Sequence, residues 1–181
     1  MSENNEKTLV QDKTVARSLD IVEKHVYYSM GVGLLPFPLL DVAAITGIQI
    51  KMLKEITESY GQKFNRNLGK TIITSLLSSL TASSISFGFL GQGLKAIPGI
   101  GTLLGIVAMP IAAGGLTYAL GSVFITYYEN GGDFAMFDIE SASSDLHERL
   151  EGLEMSVDGI KKAVNELKKT AAPAGPKAKT T

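Results

Sequence analysis

The chain has 181 residues, with 17 basic and 18 acidic side chains and a formal net charge of −1. Near-neutral charge argues against a dedicated nucleic-acid-binding protein, because such proteins carry a concentrated basic surface. The absence of cysteine excludes disulfides, thiolate metal ligands and a cysteine nucleophile. Charge is sharply segregated, since Lys95 is the only charged residue between Thr71 and Tyr128. Soluble helices normally keep a polar face toward water, so this interruption predicts a membrane-associated region.

The first predicted element is an amphipathic helix from about Thr8 to Gly31. Its first part belongs to a charged N-terminal helical arm, which is assigned to residues 1–24. Its apolar residues recur at steps of four, three and four, which places them on one helix face. They are Val15, Leu19, Val22 and Val26. Glycines and prolines between Gly31 and Pro38 end this helix.

Asp41 opens a second predicted helix, which extends to Tyr60 and stops at Gly61. It is the only charged residue between Val26 and Ile50. Two interpretations of Asp41 stay open. It caps the helix, or it is a functional carboxylate in an apolar setting.

A hydrophobic helical hairpin of the transmembrane type is predicted over residues 71–128. Its two uncharged arms are each long enough to cross a bilayer, which requires about 20 residues, and the segment GQGLKAIPGIG supplies the turn. Small residues at every fourth position indicate close packing of membrane helices, although glycine could also relieve crowding in a compact bundle. The predicted packing residues are Ser75, Ser79, Ser83, Gly101, Gly105 and Pro110.

Residues at the two ends of the hairpin predict its orientation. Tyr127 and Tyr128 end the second arm, as an interfacial aromatic belt would. Lys63, Arg66 and Lys70 precede the first arm, so the positive-inside rule places both chain ends in the cytoplasm. We therefore expect the protein in the bacterial inner membrane.

Residues 138–170 predict a helix with a heptad seam, and residues 171–181 predict a disordered tail. Apolar residues recur along this seam at steps of four and three, and branched valine at one core position with leucine at the other is typical of two-stranded parallel coiled coils. The seam binds a second copy or a partner helix, or it packs on its own chain. Its residues are Leu146, Leu150, Leu153, Val157, Ile160, Val164 and Leu167.

No catalytic or cofactor-binding constellation is recognisable. The sequence GKT beginning at Gly69 matches the end of a phosphate-binding loop, but Phe64 stands where that motif requires glycine. His25 and His147 are the only histidines, and each lies among charged residues. Both are therefore expected at the surface, and neither indicates a metal site. We expect a non-enzymatic protein without metal or cofactor.

Three segments between His25 and Gly132 carry a family likeness. They are HVYYSMGVGLLPFPLLDVAAITGIQIKMLKEITESYG, the small-residue hairpin with its KAIPGIG turn, and LGSVFITYYENGG. The matching positions include Pro36, Asp41, Gln49, Met52, Tyr60, Gly61, Pro98, Gly99, Gly101 and Gly121. In these segments the chain resembles the YcjF-like family, bacterial membrane proteins of unknown function whose domain occurs alone or with Era-like GTPases. The resemblance implies a helical membrane-associated domain over residues 25–132 and a GTPase partner, and it supplies no catalytic residues.

These observations together predict an all-α protein with amphipathic N-terminal helices, a central hydrophobic hairpin and a coiled-coil-prone C-terminal helix. The functional hypothesis is a structural or adaptor protein that inserts the hairpin into the lipid bilayer. It would form homo-oligomers or dock a GTPase, and it would not bind nucleic acid. Two alternatives are a pore or transporter component, and a soluble helical bundle that sequesters the hairpin.

Overall fold

The computed structural model describes residues 2–33, 38–82, 101–153 and 156–171. These residues form α-helices and one short 3-10 turn, with no β-strand among them, which confirms the predicted all-α class. The helices are α1 (Ser2–Val32), α2 (Pro38–Ser59), α3 (Arg66–Ala82), α4 (Gly101–Glu129), α5 (Ile139–Glu151) and α6 (Val157–Ala171). The 3-10 turn, Phe134–Met136, lies between α4 and α5.

Helices α1 and α2 pair in antiparallel orientation. The apolar stripe predicted for α1 is confirmed, because all four of its residues are buried: Val15, Leu19, Val22 and Val26. Ser18 lies 2.7 Å from Ser59, and Lys24 Nζ lies 2.6 Å from Glu55 Oε2. Residues late in α1 thus meet residues earlier in α2.

A short turn then sends α3 back along α2. Gly61 has a φ of 72°, a left-handed conformation that glycine adopts without steric cost. Asn65 Oδ1 accepts hydrogen bonds from the backbone N–H groups of Asn67 (2.9 Å) and Leu68 (3.1 Å). This capping begins α3, because it satisfies N–H groups that the first helical turn leaves unpaired.

Gln62 ties this turn to the one that follows α4. Its Nε2 donates to the Gly132 carbonyl at 2.7 Å, and its Oε1 accepts from the Phe134 N–H at 2.6 Å. The rings of Phe64 and Phe134 pack beside this amide with centroids 5.2 Å apart. One side chain therefore fixes two turns that are distant in sequence.

Helix α4 is the central helix, and it packs against α1, α2, α5 and α6. Its stretch Pro110–Glu129, with a mean hydropathy of 1.2, is long and apolar enough to cross a membrane, and no other described stretch is. However, 67% of that window is buried inside the protein. Core helices of soluble proteins share these properties, so length and composition do not by themselves assign a membrane span.

The helix predicted over residues 138–170 is divided into two. Asp138 caps α5 by accepting from the backbone N–H groups of Glu140 (3.1 Å) and Ser141 (3.2 Å). The helix stops at Gly152, whose N–H bonds to the Glu148 carbonyl at 3.0 Å. Glycine disfavours helix continuation by about 1 kcal/mol, and here that preference breaks the heptad pattern.

The bundle has two ends of different composition. We call one the apolar end, because α1 and α3 end toward it, α2 and α4 begin toward it, and Asp41 is the only charged residue in those terminal helix turns. The opposite end, which holds the turns 60–65 and 130–138, we call the charged end. No charged residue occurs in α1 after Lys24, in α3 after Lys70 or in α4 before Glu129. The chain between α3 and α4 therefore leaves and re-enters the described bundle at the apolar end.

Candidate functional site

A seam of buried polar side chains lies between α1, α2 and α4. We call it the polar seam and define it by six residues with 0% exposure: Ser18, His25, Ser29, Gln49, Thr57 and Thr117. Hydroxyl pairs join the helices here: Ser18 with Ser59 at 2.7 Å, Thr57 with Tyr128 at 2.8 Å, and Thr117 with Ser29 at 2.7 Å. A buried hydroxyl without a partner costs about 1–3 kcal/mol. These pairs therefore favour one relative placement of the helices.

His25 lies in the polar seam, so its predicted surface position is wrong. Its Nδ1 lies 2.8 Å from the Ile21 carbonyl, and its Nε2 lies 3.9 Å from Glu55 Oε1. The ring meets Tyr28 edge to face, with centroids 5.8 Å apart. Burial lowers the pKa of His25 below its ordinary 6.5, against the Ile21 carbonyl and Glu55, which raise it. A helical residue can have charged neighbours in sequence and still point inward. The charged residues beside His25 therefore led to the wrong prediction of a surface position.

Gln49 occupies the seam on α2 with 0% exposure. Among the described residues, neither its Nε2 nor its Oε1 has a hydrogen-bond partner, and the Nε2 of His25 also lacks one. The position Gln49 was part of the family likeness. Its burial shows that the likeness includes a polar residue inside the bundle.

Tyr127 and Tyr128 pack within the protein and do not form the predicted interfacial belt. Tyr128 is 5% exposed and stacks on Tyr60 with centroids 5.0 Å apart. Burial is the main cause that raises the pKa of Tyr128 to about 12. The hydroxyl of Tyr127 donates to the carbonyls of Asp133 (2.9 Å) and Met136 (3.1 Å). Both tyrosines stabilise the charged end.

Close contact between α1 and α4 depends on Gly114 and Gly121. A Cβ added at Gly114 would lie 2.6 Å from Met30 Cγ, and one added at Gly121 would collide with Val22. The two glycines and Thr117 recur at steps of three and four, which places small residues on one face of α4. That spacing is visible in the sequence, but the glycines predicted to pack were Gly101 and Gly105.

The predicted hairpin-packing residues lie in different surroundings. Ser75 and Ser79 are half-buried in α3, and Ser79 Oγ donates to the Leu76 carbonyl at 2.7 Å. Pro110 is buried inside α4. Gly101 and Gly105 belong to the first two turns of α4, and Ser83 lies outside the described residues. The main neighbours of described α3 are α2 and α5, so the pairing of the two arms stays a prediction.

The predicted heptad seam contributes to packing within the chain. Leu146 (0% exposed), Ile160 (1%) and Val164 (6%) are buried. Leu150 and Leu153 pack against the same core from partly buried positions. Val157 and Leu167 belong to α6, and their side chains lie outside the described part. This arrangement favours the alternative that the seam packs on its own chain, while self-association stays a prediction.

Asp41 is the fourth residue of α2, which begins at Pro38. The helix therefore starts one turn earlier than predicted, and Asp41 is not its N-cap. Its side chain lies outside the described part of the structure. A functional role for this carboxylate stays a prediction.

The described residues offer few groups for chemistry at the seam. No cluster of three histidine, aspartate, glutamate or cysteine side chains suited to a metal ion occurs among them. Gly69 is accounted for by packing, because an added Cβ would lie 2.5 Å from Cζ of Phe64. The polar seam can hold α1, α2 and α4 in one register, and its stability can change when His25 is protonated.

Comparison with known proteins gives a family and one informative relative. The family model described as Domain of unknown function (DUF697) matches residues 3–154. Magnetosome membrane protein 22 of Magnetospirillum gryphiswaldense is 36% identical over 114 residues, which cover 63% of this chain and 58% of that relative. The chain thus matches less than two thirds of the relative's length, and no solved structure matches it. Because the family match covers most of its length, the chain belongs to the DUF697 family, the YcjF-like family that it resembles.

Proposed function

We propose that the protein is a non-enzymatic structural or adaptor protein of a bacterial membrane, attached by the uncharged segment at its apolar end. The supporting observation is the long uncharged run in the sequence, whose two ends pack in the bundle. Among the residues whose side chains are described, core positions of α3 such as Leu80 and core positions of α4 such as Pro110 and Leu120 are buried in the bundle. Between these positions the sequence is uncharged except for Lys95. We propose that lipid covers this apolar segment, because an apolar surface of this size is rarely left exposed to water.

The length of this segment supports insertion into one leaflet. Residues 81–109 are 29 residues, and they include the predicted turn GQGLKAIPGIG. A bilayer core about 30 Å thick needs about 20 residues per span. Two full spans would need about 40 residues, and the flanking positions such as Leu80 and Leu120 are buried in the bundle. We therefore propose a membrane segment within residues 81–109, narrower than the predicted hairpin over residues 71–128.

The relative and the family add independent support for a membrane. The name of the relative places that protein in the magnetosome membrane. For this chain we propose the inner membrane, with the bundle and both chain ends on the cytoplasmic side. The relative's name supports only the location in a membrane. The cytoplasmic side of the bundle and of both chain ends is inferred from the charge pattern of the sequence.

Flotation of the purified full chain with phospholipid vesicles tests the proposal. We expect the wild-type protein to float and the variant Leu104→Lys/Val107→Lys to remain in the soluble fraction, because lysine disfavours burial in hydrocarbon. A matched control is Leu9→Lys/Val10→Lys, because these side chains are 57% and 60% exposed on α1. The control should float like wild type. Flotation of the Leu104→Lys/Val107→Lys variant would contradict the proposed anchor.

A soluble bundle that sequesters its apolar segment is the second candidate. The observation that favours it is the 67% burial of Pro110–Glu129 inside the protein. Under this alternative the wild-type protein would stay soluble beside vesicles and would be released from cell membranes by alkaline carbonate. Retention after carbonate treatment would support the membrane-anchored protein.

Self-assembly and GTPase docking are further parts of the proposal. The GTPase partner is supported by the family resemblance alone. Self-assembly would use surface beyond the buried heptad residues Leu146, Ile160 and Val164. Chemical cross-linking of the membrane-bound protein, with and without a co-expressed GTPase, tests both.

A further inference from the structure

Two exposed tyrosines lie on α1 near the apolar end. Tyr27 is 49% exposed and Tyr28 is 50% exposed, and they are the two large exposed aromatic side chains among the described residues. They follow Lys24, the last charged residue of α1, and precede the end of the helix at Val32. Tyrosine at the boundary between a charged and an apolar region is typical of membrane interfaces.

Two lysines of α6 lie at the same level along the bundle. Both Ile160 and Met30 contact the position of Gly114, so the start of α6 lies beside the end of α1. Further along α6, Lys168 Nζ lies 2.9 Å from Asp20 Oδ1, so α6 runs antiparallel to α1. Lys161 and Lys162 therefore lie at the level of the two tyrosines.

These two lysines differ from the other basic residues of the same flank. Lys24 is paired with Glu55, and Lys168 is paired with Asp20 and Glu23. Lys161 and Lys162 are exposed, and neither forms an ion pair with another described residue.

Acidic groups mark the limits of this flank. On α6, Asp158 is exposed near the two lysines, and it leaves their combined charge positive. On α5, Glu148 and Glu151 are exposed near Arg149, which bonds to Thr126 Oγ1 toward the charged end of α4. Positive charge at the apolar end therefore lies on the side of α1 and α6, and an anionic surface would be approached by that side.

We infer that the flank defined by Tyr27, Tyr28, Lys161 and Lys162 contacts the anionic headgroups of the membrane. The inference rests on the proposed membrane function. It adds the charge of the lipid headgroups and the face of the protein that contacts them. The tyrosine rings would lie among the headgroups, and the lysines would pair with phosphate. A lysine near an anionic membrane surface contributes about 1 kcal/mol to binding.

The test compares vesicles of phosphatidylcholine alone with vesicles that also contain phosphatidylglycerol. We expect the wild-type protein to bind the anionic vesicles more tightly, and added salt to reduce the difference. Lys161→Glu/Lys162→Glu should lower affinity for the anionic vesicles by about tenfold or more. It should leave binding to phosphatidylcholine unchanged. Tyr27→Ser should weaken binding to both kinds of vesicle.

The matched control is Lys63→Glu/Arg66→Glu, which makes the same charge change at exposed positions of the charged end. We expect this control to bind anionic vesicles nearly as wild type, and thermal unfolding should confirm that all variants fold. If it loses binding and the α6 variant does not, the membrane surface lies at the charged end and the inference is overturned. Equal wild-type binding to both lipids would also overturn it, with membrane insertion intact. Absence of binding to any vesicle would instead overturn the proposed function.

Discussion

Residues 101–109 and 110–128 of α4 are both uncharged, and the proposed function gives them different surroundings, lipid for the first and protein for the second. The second stretch packs against α1, α2, α5 and α6, with Leu120 and Phe124 at 0% exposure. The first continues the helix toward the apolar end, beyond the level at which Gly114 meets Met30. Absence of charge thus identifies a helix that avoids water, but it does not tell whether protein or lipid covers it.

The largest expected contrast between the two stretches comes from cavity formation. Phe124→Ala should lower the free energy of unfolding by about 3–5 kcal/mol, because it empties a fully buried site. Leu104→Ala should leave that free energy nearly unchanged and should weaken vesicle flotation. Chemical denaturation in the absence of lipid measures the first effect. Equal destabilisation by both variants would mean that the bundle also covers the first stretch.

A second contrast uses glycine. Gly121→Leu should lower the free energy of unfolding by about 1–3 kcal/mol, because an added side chain collides with Val22. Gly105→Leu makes the same change in the first stretch and should cost far less. Thermal unfolding of both variants measures the two losses of stability. Tolerance of leucine at position 121 would show that α1 can move away from α4.

A smaller effect is expected from the polar seam. Tyr128→Phe removes the hydroxyl that lies 2.8 Å from Thr57 Oγ1 and should lower the free energy of unfolding by about 1 kcal/mol. Thr57 retains its bond to the Leu53 carbonyl at 2.7 Å, which limits the loss. As a control, Tyr27→Phe removes an exposed hydroxyl and should change little.

The smallest expected effect is on how the stability of the folded protein depends on pH. Burial lowers the pKa of His25, so the folded protein binds this proton more weakly than the unfolded chain does. The contribution of His25 to stability is therefore present above pH 6.5 and is lost as the pH falls from 6.5 toward the folded pKa. His25→Gln should remove this part of the pH dependence. The groups that face His25 are Glu55, Lys24, Lys51 and Tyr28, so denaturation curves for an added Glu55→Gln variant separate their contribution.

Periodicity predicted the parts of the fold that local spacing determines. The stripe from Val15 to Val26 was read correctly because each apolar residue recurs on one helix face. The C-terminal heptads were also read as apolar positions, but Gly152 and the following residues divide the helix. A heptad pattern records which residues avoid water, and it does not record which surface covers them.

The other positions depend on contacts between helices that are distant in sequence, and local sequence patterns do not record these contacts. His25 is inside because α2 covers that face of α1, and nothing near position 25 records the position of α2. Tyr128 followed a long uncharged run and resembled a membrane-interface residue, although Thr57 and Tyr60 cover it. The contact of Gly121 with Val22 joins residues about 100 positions apart, which spacing within one helix cannot predict.

The bond from Gln62 to the turn after α4 has a consequence for the order of synthesis. Gln62 acquires its partners only when Gly132 and Phe134 have been made, after the whole uncharged segment. At about 5–20 residues per second, residues 110–134 take about 1–5 seconds to synthesise. During that interval residues 81–109 already exist while the charged end is still open. We therefore expect lipid or a chaperone to meet the segment before the bundle closes, so that membrane insertion precedes completion of the fold.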